Sequence, residues 1–168
     1  MSALDVWVQT KAISFPLAGR KNASITISIK QLVVKNEQGE KEIIPRSEID
    51  NLIFTDGGFN GEIQSAGSNG SLRNTMSDGK NNTLTFNWKE KPHSYTIFVD
   101  KKMQRDFLYT YVEHCLRDYQ MEAAVFCQGH KVVGTGADVK SVAWLQKRNL
   151  YLFIGAIILV WILRSVFS

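Results

Sequence analysis

The sequence predicts a small, mainly antiparallel β domain covered by one amphipathic helix and followed by a single membrane-spanning helix. Three observations carry that expectation. Ile25, Ile27 and Ile29 alternate with polar residues, as do Leu84, Phe86 and Trp88, which is the period-two signature of half-buried strands. Apolar side chains recur at three- and four-residue spacing between Met103 and Tyr119. Leu150 to Leu163 reads LYLFIGAIILVWIL, fourteen consecutive residues without a charged side chain.

Taken in order, Val6, Val8 and the stretch from Lys11 to Phe15 read as a first strand, ended by Pro16 and the turn-prone Gly19-Arg20-Lys21-Asn22. Ile25 to Ile29 form the next strand. Leu32 to Val34 and Glu42 to Ile44 flank the turn Asn36-Glu37-Gln38-Gly39 and read as a hairpin that Pro45 closes. Ser47 to Asp50 turn into Leu52, Ile53 and Phe54. From Thr55 to Asn82 the chain is rich in glycine and asparagine, and its spaced Phe59, Ile63, Leu72 and Met76 suit two short strands joined by long loops. Leu84 to Trp88 and Tyr95 to Val99, separated by Lys89-Glu90-Lys91-Pro92, make the clearest hairpin.

Asp100 is placed to cap a helix over about 101–119, with Met103, Phe107, Leu108, Tyr111, Val112, Cys115, Leu116 and Tyr119 on one face. Such a helix covers one face or closes an open end of a curved sheet. Residues 121–137 read as a connecting segment. Within it, Ala124 to Cys127 and Lys131 to Val133 either pair around Gln128-Gly129-His130, or the first part prolongs the helix. Asp138 is the expected cap of a second helix that runs through Val142, Trp144 and Leu145 into the apolar run without a proline to break it.

That run is expected to span a bilayer. Fourteen helical residues reach only about 21 Å, but Leu150 to Phe167 reach about 27 Å if Arg164 extends its guanidinium to the headgroups. Tyr151 and Trp161 stand near its two ends, where amphipathic rings favour the interface. A buried helix of a soluble domain is the alternative. Bulky apolar residues on every face, in a chain of 168 residues, argue against it. The opening MSALDVWVQTKAISF has neither the basic lead nor the continuous apolar stretch of a signal peptide, so the N-terminal part is expected to fold in the cytoplasm. Lys140, Lys147 and Arg148 before the span agree with that orientation. The expected organisation is thus a domain over 1–120, a connector over 121–137, and a stalk with a C-terminal, tail-anchoring, single-pass span over 138–168.

The order of elements resembles a pleckstrin-homology-like domain over about residues 6–119. Ile27 to Phe54, ISIKQLVVKNEQGEKEIIPRSEIDNLIF, is similar to the strand, glycine turn, strand and Pro-x-Ser-Glu-Ile stretch of bacterial and membrane-associated members. Leu84 to Leu116, LTFNWKEKPHSYTIFVDKKMQRDFLYTYVEHCL, resembles their final hairpin and capping helix. The resemblance implies a curved antiparallel sheet or partly closed barrel of six to seven strands with a capping C-terminal helix. It also implies a lipid reader, a protein docking module or a scaffold part; fold does not choose among these.

Lipid contact in such domains uses basic residues around the first hairpin loop, and the matching positions here are Lys11, Arg20, Lys21 and Lys30. A net charge of +4 without an arginine-rich block argues against nucleic-acid binding, and it suits general attraction to an anionic leaflet or an ordinary solvated surface equally. The sequons at Asn22, Asn69 and Asn81 are ordinary chance triplets, and two cysteines in a cytoplasmic domain read as reduced thiols. Cys127-x-x-His130 has workable zinc-ligand spacing, and Cys115 and His114 lie near it in sequence. Cys115, however, belongs to the apolar helix face, so no metal and no cofactor are expected. A Cys127 nucleophile with His130 as base would need an orienting group and an oxyanion site that no spacing indicates. Gly155 and Ala156 offer a small surface for another membrane helix, without the Gly-x-x-x-Gly spacing. These readings converge on a non-catalytic, membrane-anchored adaptor or complex subunit whose partners are the bilayer and other protein subunits.

Overall fold

The computed structural model describes residues 3–57, 82–99, 101–136 and 138–166. The chain opens with a short helix, α1 (Ala3–Thr10), and not with a strand: Val8 is buried in the core while Val6 is exposed. A two-residue apolar alternation fits one turn of helix as well as a strand, and contact with the protein interior decides between them. Four short strands follow, β1 (Ile13–Pro16), β2 (Ser24–Ile27), β3 (Gln31–Lys35) and β4 (Lys41–Pro45), paired antiparallel in sequence order as one sheet. Ile25, Ile27, Leu32 and Ile44 point into the core, as the alternation requires. The β3–β4 turn is closed by Asn36, whose side-chain oxygen accepts from the Glu40 backbone N–H at 2.9 Å, and Gly39 supplies the positive φ of 89°.

A 3₁₀ turn over Arg46–Glu48 carries the chain to a second sheet of five strands, ordered β7-β6-β5-β8-β9. Its members are β5 (Ile49–Asp56), β6 (Asn82–Trp88), β7 (Lys91–Ile97), β8 (Ala123–Cys127) and β9 (His130–Val133). The described residues therefore hold nine strands in two sheets, with no closed barrel, where six to seven were expected. The sheets meet at one corner, where Leu17 bridges Ile97 and the Phe98 N–H donates to the Pro16 carbonyl at 2.9 Å. The two strands expected between Thr55 and Asn82 fall almost wholly outside the described residues.

Helix α2 (Lys102–Tyr119) arrives where the periodicity placed it. Phe107, Leu108, Tyr111, Val112 and Cys115 are buried, and the Phe107 ring lies 6.4 Å from Phe15 and 6.1 Å from Tyr111 between centroids. The N-cap is Lys101, whose N–H donates to the Gln104 side chain at 3.3 Å; Asp100, the expected cap, lies outside the described residues. Gln120, in the left-handed region at φ 50°, ends the helix. The chain then enters β8, which runs parallel to β5 with Phe54 opposite Val125 and Asp56 opposite Cys127. A two-residue turn at Gln128 and Gly129, both at positive φ, returns it as β9. Residues 121–137, read as a connector, thus include the two strands that complete the second sheet.

The last element is α3 (Val142–Val166). Its cap is Ser141, whose hydroxyl accepts from the Trp144 N–H at 3.1 Å. Asp138, the expected cap, instead meets the Lys131 ammonium at 3.3 Å.

Candidate functional site

The four cations matched to a lipid-binding loop do not converge. The register pairs Ile13 with Ile27 and Pro16 with Ser24. Lys11 and Lys30 therefore lie beyond one end of the β1–β2 pair, and Arg20 and Lys21 beyond the other. The four residues of β2 separate the two groups by about 13 Å. All four side chains are exposed. Arg20 stands close enough to Tyr95 to pull its phenol pKa down, against burial and the Glu42 carboxylate, which together raise it.

Cys127 and His130 are opposite one another across the β8–β9 pair, yet their side chains serve different neighbours. The Cys127 thiol meets Tyr109, and burial, with Asp56 nearby, raises its pKa. The His130 ring takes the edge of Trp144 at 5.9 Å. Cys115 is fully buried on α2, and its pKa is pushed up to about 11 by burial, with Arg46 pulling the other way. Both thiols are thus held protonated at neutral pH, which is the opposite of nucleophile activation. Among the described residues, no three His, Cys, Asp or Glu side chains are grouped as a metal site.

A buried polar cluster at the open end of the second sheet went unseen in the sequence. Asp56, the last residue of β5, is 2% exposed; its carboxylate accepts from the Tyr109 hydroxyl at 3.1 Å and pairs with Arg105 Nε at 2.9 Å. Burial and the adjacent Asp56 charge raise the Tyr109 pKa well above its ordinary value. The Asn82 side-chain oxygen accepts from the Gly57 N–H at 3.2 Å. These groups hold the end of β5 onto the first and second turns of α2 and tie the start of β6 to it. An aspartate beside two glycines reads as a turn, so only the register of β5 reveals its buried position.

The other unforeseen arrangement is the root of α3. The Lys140 N–H donates to the Lys131 carbonyl at 2.6 Å, tying the chain before the helix to β9. Leu145 is 2% exposed. Arg148 Nη1 lies 2.8 Å from His130 Nε2; a guanidinium can only donate, so the imidazole accepts there and carries its proton on Nδ1. The Trp144 ring has the Lys140 ammonium at 5.7 Å and the Arg148 guanidinium at 5.3 Å. One turn of helix further on, the contacts stop. Every residue from 150 to 165 is exposed, Gly155 and Ala156 among them, and a Cβ added at Gly155 would meet nothing within 4 Å. Ala143–Ser165 is long and apolar enough to cross a membrane, and its apolar window has no buried share.

No protein-family model matches the chain, and no curated protein matches it significantly.

Proposed function

We propose that this protein is a non-catalytic, membrane-anchored adaptor or complex subunit, with α3 crossing the bilayer and the sheet domain holding partner proteins at the cytoplasmic face. The single observation that carries the reading is the division of α3. Its first two turns are fixed to the domain by Leu145, Trp144 and Arg148, while the apolar length beyond Leu150 is covered by none of the described residues. Water would meet sixteen consecutive exposed positions there, most of them large and apolar, and a bilayer removes that cost. A helix rooted in this way sets the domain close to the membrane at a defined angle, as a subunit that positions another protein requires.

The domain itself is proposed to be a variant of the pleckstrin-homology-like fold. Support comes from a four-strand meander, a following β5-β6-β7 group and a helix whose apolar face lies on the core. Helix α1 in front, and β8 with β9 after α2, are additions to that plan. The competing reading, a membrane-associated enzyme using Cys127 and His130, has against it a protonated, inward-facing thiol and an imidazole already bonded to Arg148.

Alkaline carbonate extraction of membranes, with protease protection of an N-terminal tag, tests the anchor and its orientation. Retention in the membrane, and digestion of the tag on sealed vesicles whose cytoplasmic face points outward, are expected. Release into the soluble fraction, or a tag protected with the lumen, would overturn the reading. Purification in mild detergent should then yield stoichiometric membrane-protein partners, whereas a monomer with an activity lost in Cys127→Ala would favour the enzyme.

A further inference from the structure

We infer that the root of α3 is a binding site for the phosphate of an anionic phospholipid, built by Arg148, Lys147 and Lys140 around Trp144. The inference rests on α3 being a membrane span, and it places lipid selection at this junction and away from the β1–β2 loop. Along the helix axis Arg148 lies about 3 Å, and Lys147 about 4.5 Å, before Leu150, where the uncovered apolar length starts. That is the depth of headgroup phosphates when the apolar length sits in hydrocarbon. Trp144 lies about 9 Å before the same point, within the interfacial zone that indole rings favour.

The charges at this depth are unbalanced. Lys131 has its counter-ion, Asp138 at 3.3 Å, and a further acceptor in the Thr135 carbonyl at 3.2 Å. Among the described residues, no carboxylate pairs with Lys140, Lys147 or Arg148. The Arg148 partner is a neutral imidazole, which orients the guanidinium without cancelling its charge. Its Nε is buried and has no hydrogen-bond partner among the described residues, so contact with a phosphate falls to the Nη groups. An orienting hydrogen bond donated to His130 and a flanking Trp144 hold that planar fork in place, and a guanidinium fork matches the paired oxygens of a phosphate. Lys140, 5.7 Å from the Trp144 ring, and Lys147, the residue before Arg148 on the helix, add exposed point charges. By contrast, Lys11, Arg20, Lys21 and Lys30 are exposed, divided between two ends of a strand pair and held by no comparable partner.

The test is native mass spectrometry of the full chain in non-ionic detergent, titrated with phosphatidylglycerol or phosphatidylcholine. Phosphatidylglycerol adducts should form at about a hundredfold lower lipid concentration than phosphatidylcholine adducts, given about a fivefold contribution from each of the three cations near the headgroup plane. Lys140→Gln with Lys147→Gln, two exposed changes that leave the Arg148–His130 bond in place, should remove most of that preference. Arg148→Gln should lower it about fivefold, and Arg20→Gln with Lys21→Gln should leave it unchanged. Equal affinity for the two lipids, or a preference undiminished in both junction variants, would overturn the site. Displacement of the lipid by millimolar glycerol 3-phosphate would show a soluble phosphate ligand and overturn the lipid assignment. Carbonate extraction of the same variants separates the two levels: a chain that stays in the membrane without lipid preference has lost only this site, whereas a chain that washes out has lost the span.

Discussion

Helices α2 and α3 are both long and both rich in large apolar side chains, yet they are opposite kinds of object. In α2 the apolar residues occupy one face, Lys102, Arg105, Asp106, Glu113 and Arg117 occupy much of the rest, and the core covers the first set. In α3, beyond Leu150, apolar residues occupy every face and none is covered by the other described residues. Periodicity tells the first helix where its protein partner lies. Composition without periodicity tells the second that its partner has no preferred side, as lipid has none. The same leucine or isoleucine thus stabilises the fold in one helix and, on the proposed reading, the anchoring in the other.

The sharpest way to break that contrast is one truncation in each helix. Phe107→Ala should cost about 3–5 kcal/mol of folding stability, through lost transfer energy and the cavity left beside Phe15 and Tyr111. Ile157→Ala, at a position 54% exposed, should leave domain stability within about 0.5 kcal/mol. Denaturant titration of the full chain in mild detergent reads both. Equal costs would mean that α3 packs on the domain after all. A charge in place of the methyl groups asks the complementary question: Ile157→Lys puts an ammonium midway along the apolar run, at about 2.5–3.5 kcal/mol on the insertion scale. Carbonate-resistant protein should fall steeply while the domain's denaturation midpoint stays put.

How far the sequence could foresee this follows the range of the interactions involved. The β2, β6 and β7 strands and α2 were legible because their side chains declare one buried face within a few residues. Val6 and Val8 misled, since two positions cannot separate a period of two from a turn of helix. The parallel seat of β8 beside β5 was not legible either, because Phe54 and Val125 become neighbours only after α2 has carried the chain across the sheet. At the candidate sites the limit is the same. Arg148 and His130 were each noticed, one as a topology signal and the other as a metal or catalytic candidate, and nothing local says that they bond to each other. Asp56 was hidden among glycines, and Ser141 displaced Asp138 as a cap because Lys131 had claimed the aspartate.

Alkali sharpens the comparison at α2, whose covered face holds a titratable group. Cys115 has an ordinary pKa of 9.0 and about 11 in the folded chain, chiefly through burial. Between those values the unfolded chain has released the thiol proton and the folded chain has kept it, so stability is fully present below pH 9 and falls as pH rises towards 11. The loss from this group is about 2 kcal/mol across the window. Tyr109, Tyr111 and Cys127, all raised by burial, add to the same slope. Denaturant titrations at pH 8 and pH 10.5 should show the decline, and Cys115→Ala, less stable at pH 8, should decline less steeply. An unchanged slope would mean that the thiol is open to water.

The smallest effect tests whether covering, and not apolar character, sets the value of a side chain in α2. Met103 belongs to the same stripe by spacing, yet it is 56% exposed, because the first turn of the helix runs past the core. Met103→Lys removes an apolar side chain from that stripe but gives up little buried area, and lysine forms helix about as well as methionine. A stability change within about 0.5 kcal/mol is expected, against several kcal/mol one turn further along at Phe107. A cost above about 1 kcal/mol would show that another part of the chain covers Met103. The line between covered and uncovered apolar residues would then have to be redrawn inside α2, one turn before Phe107 and far from the span.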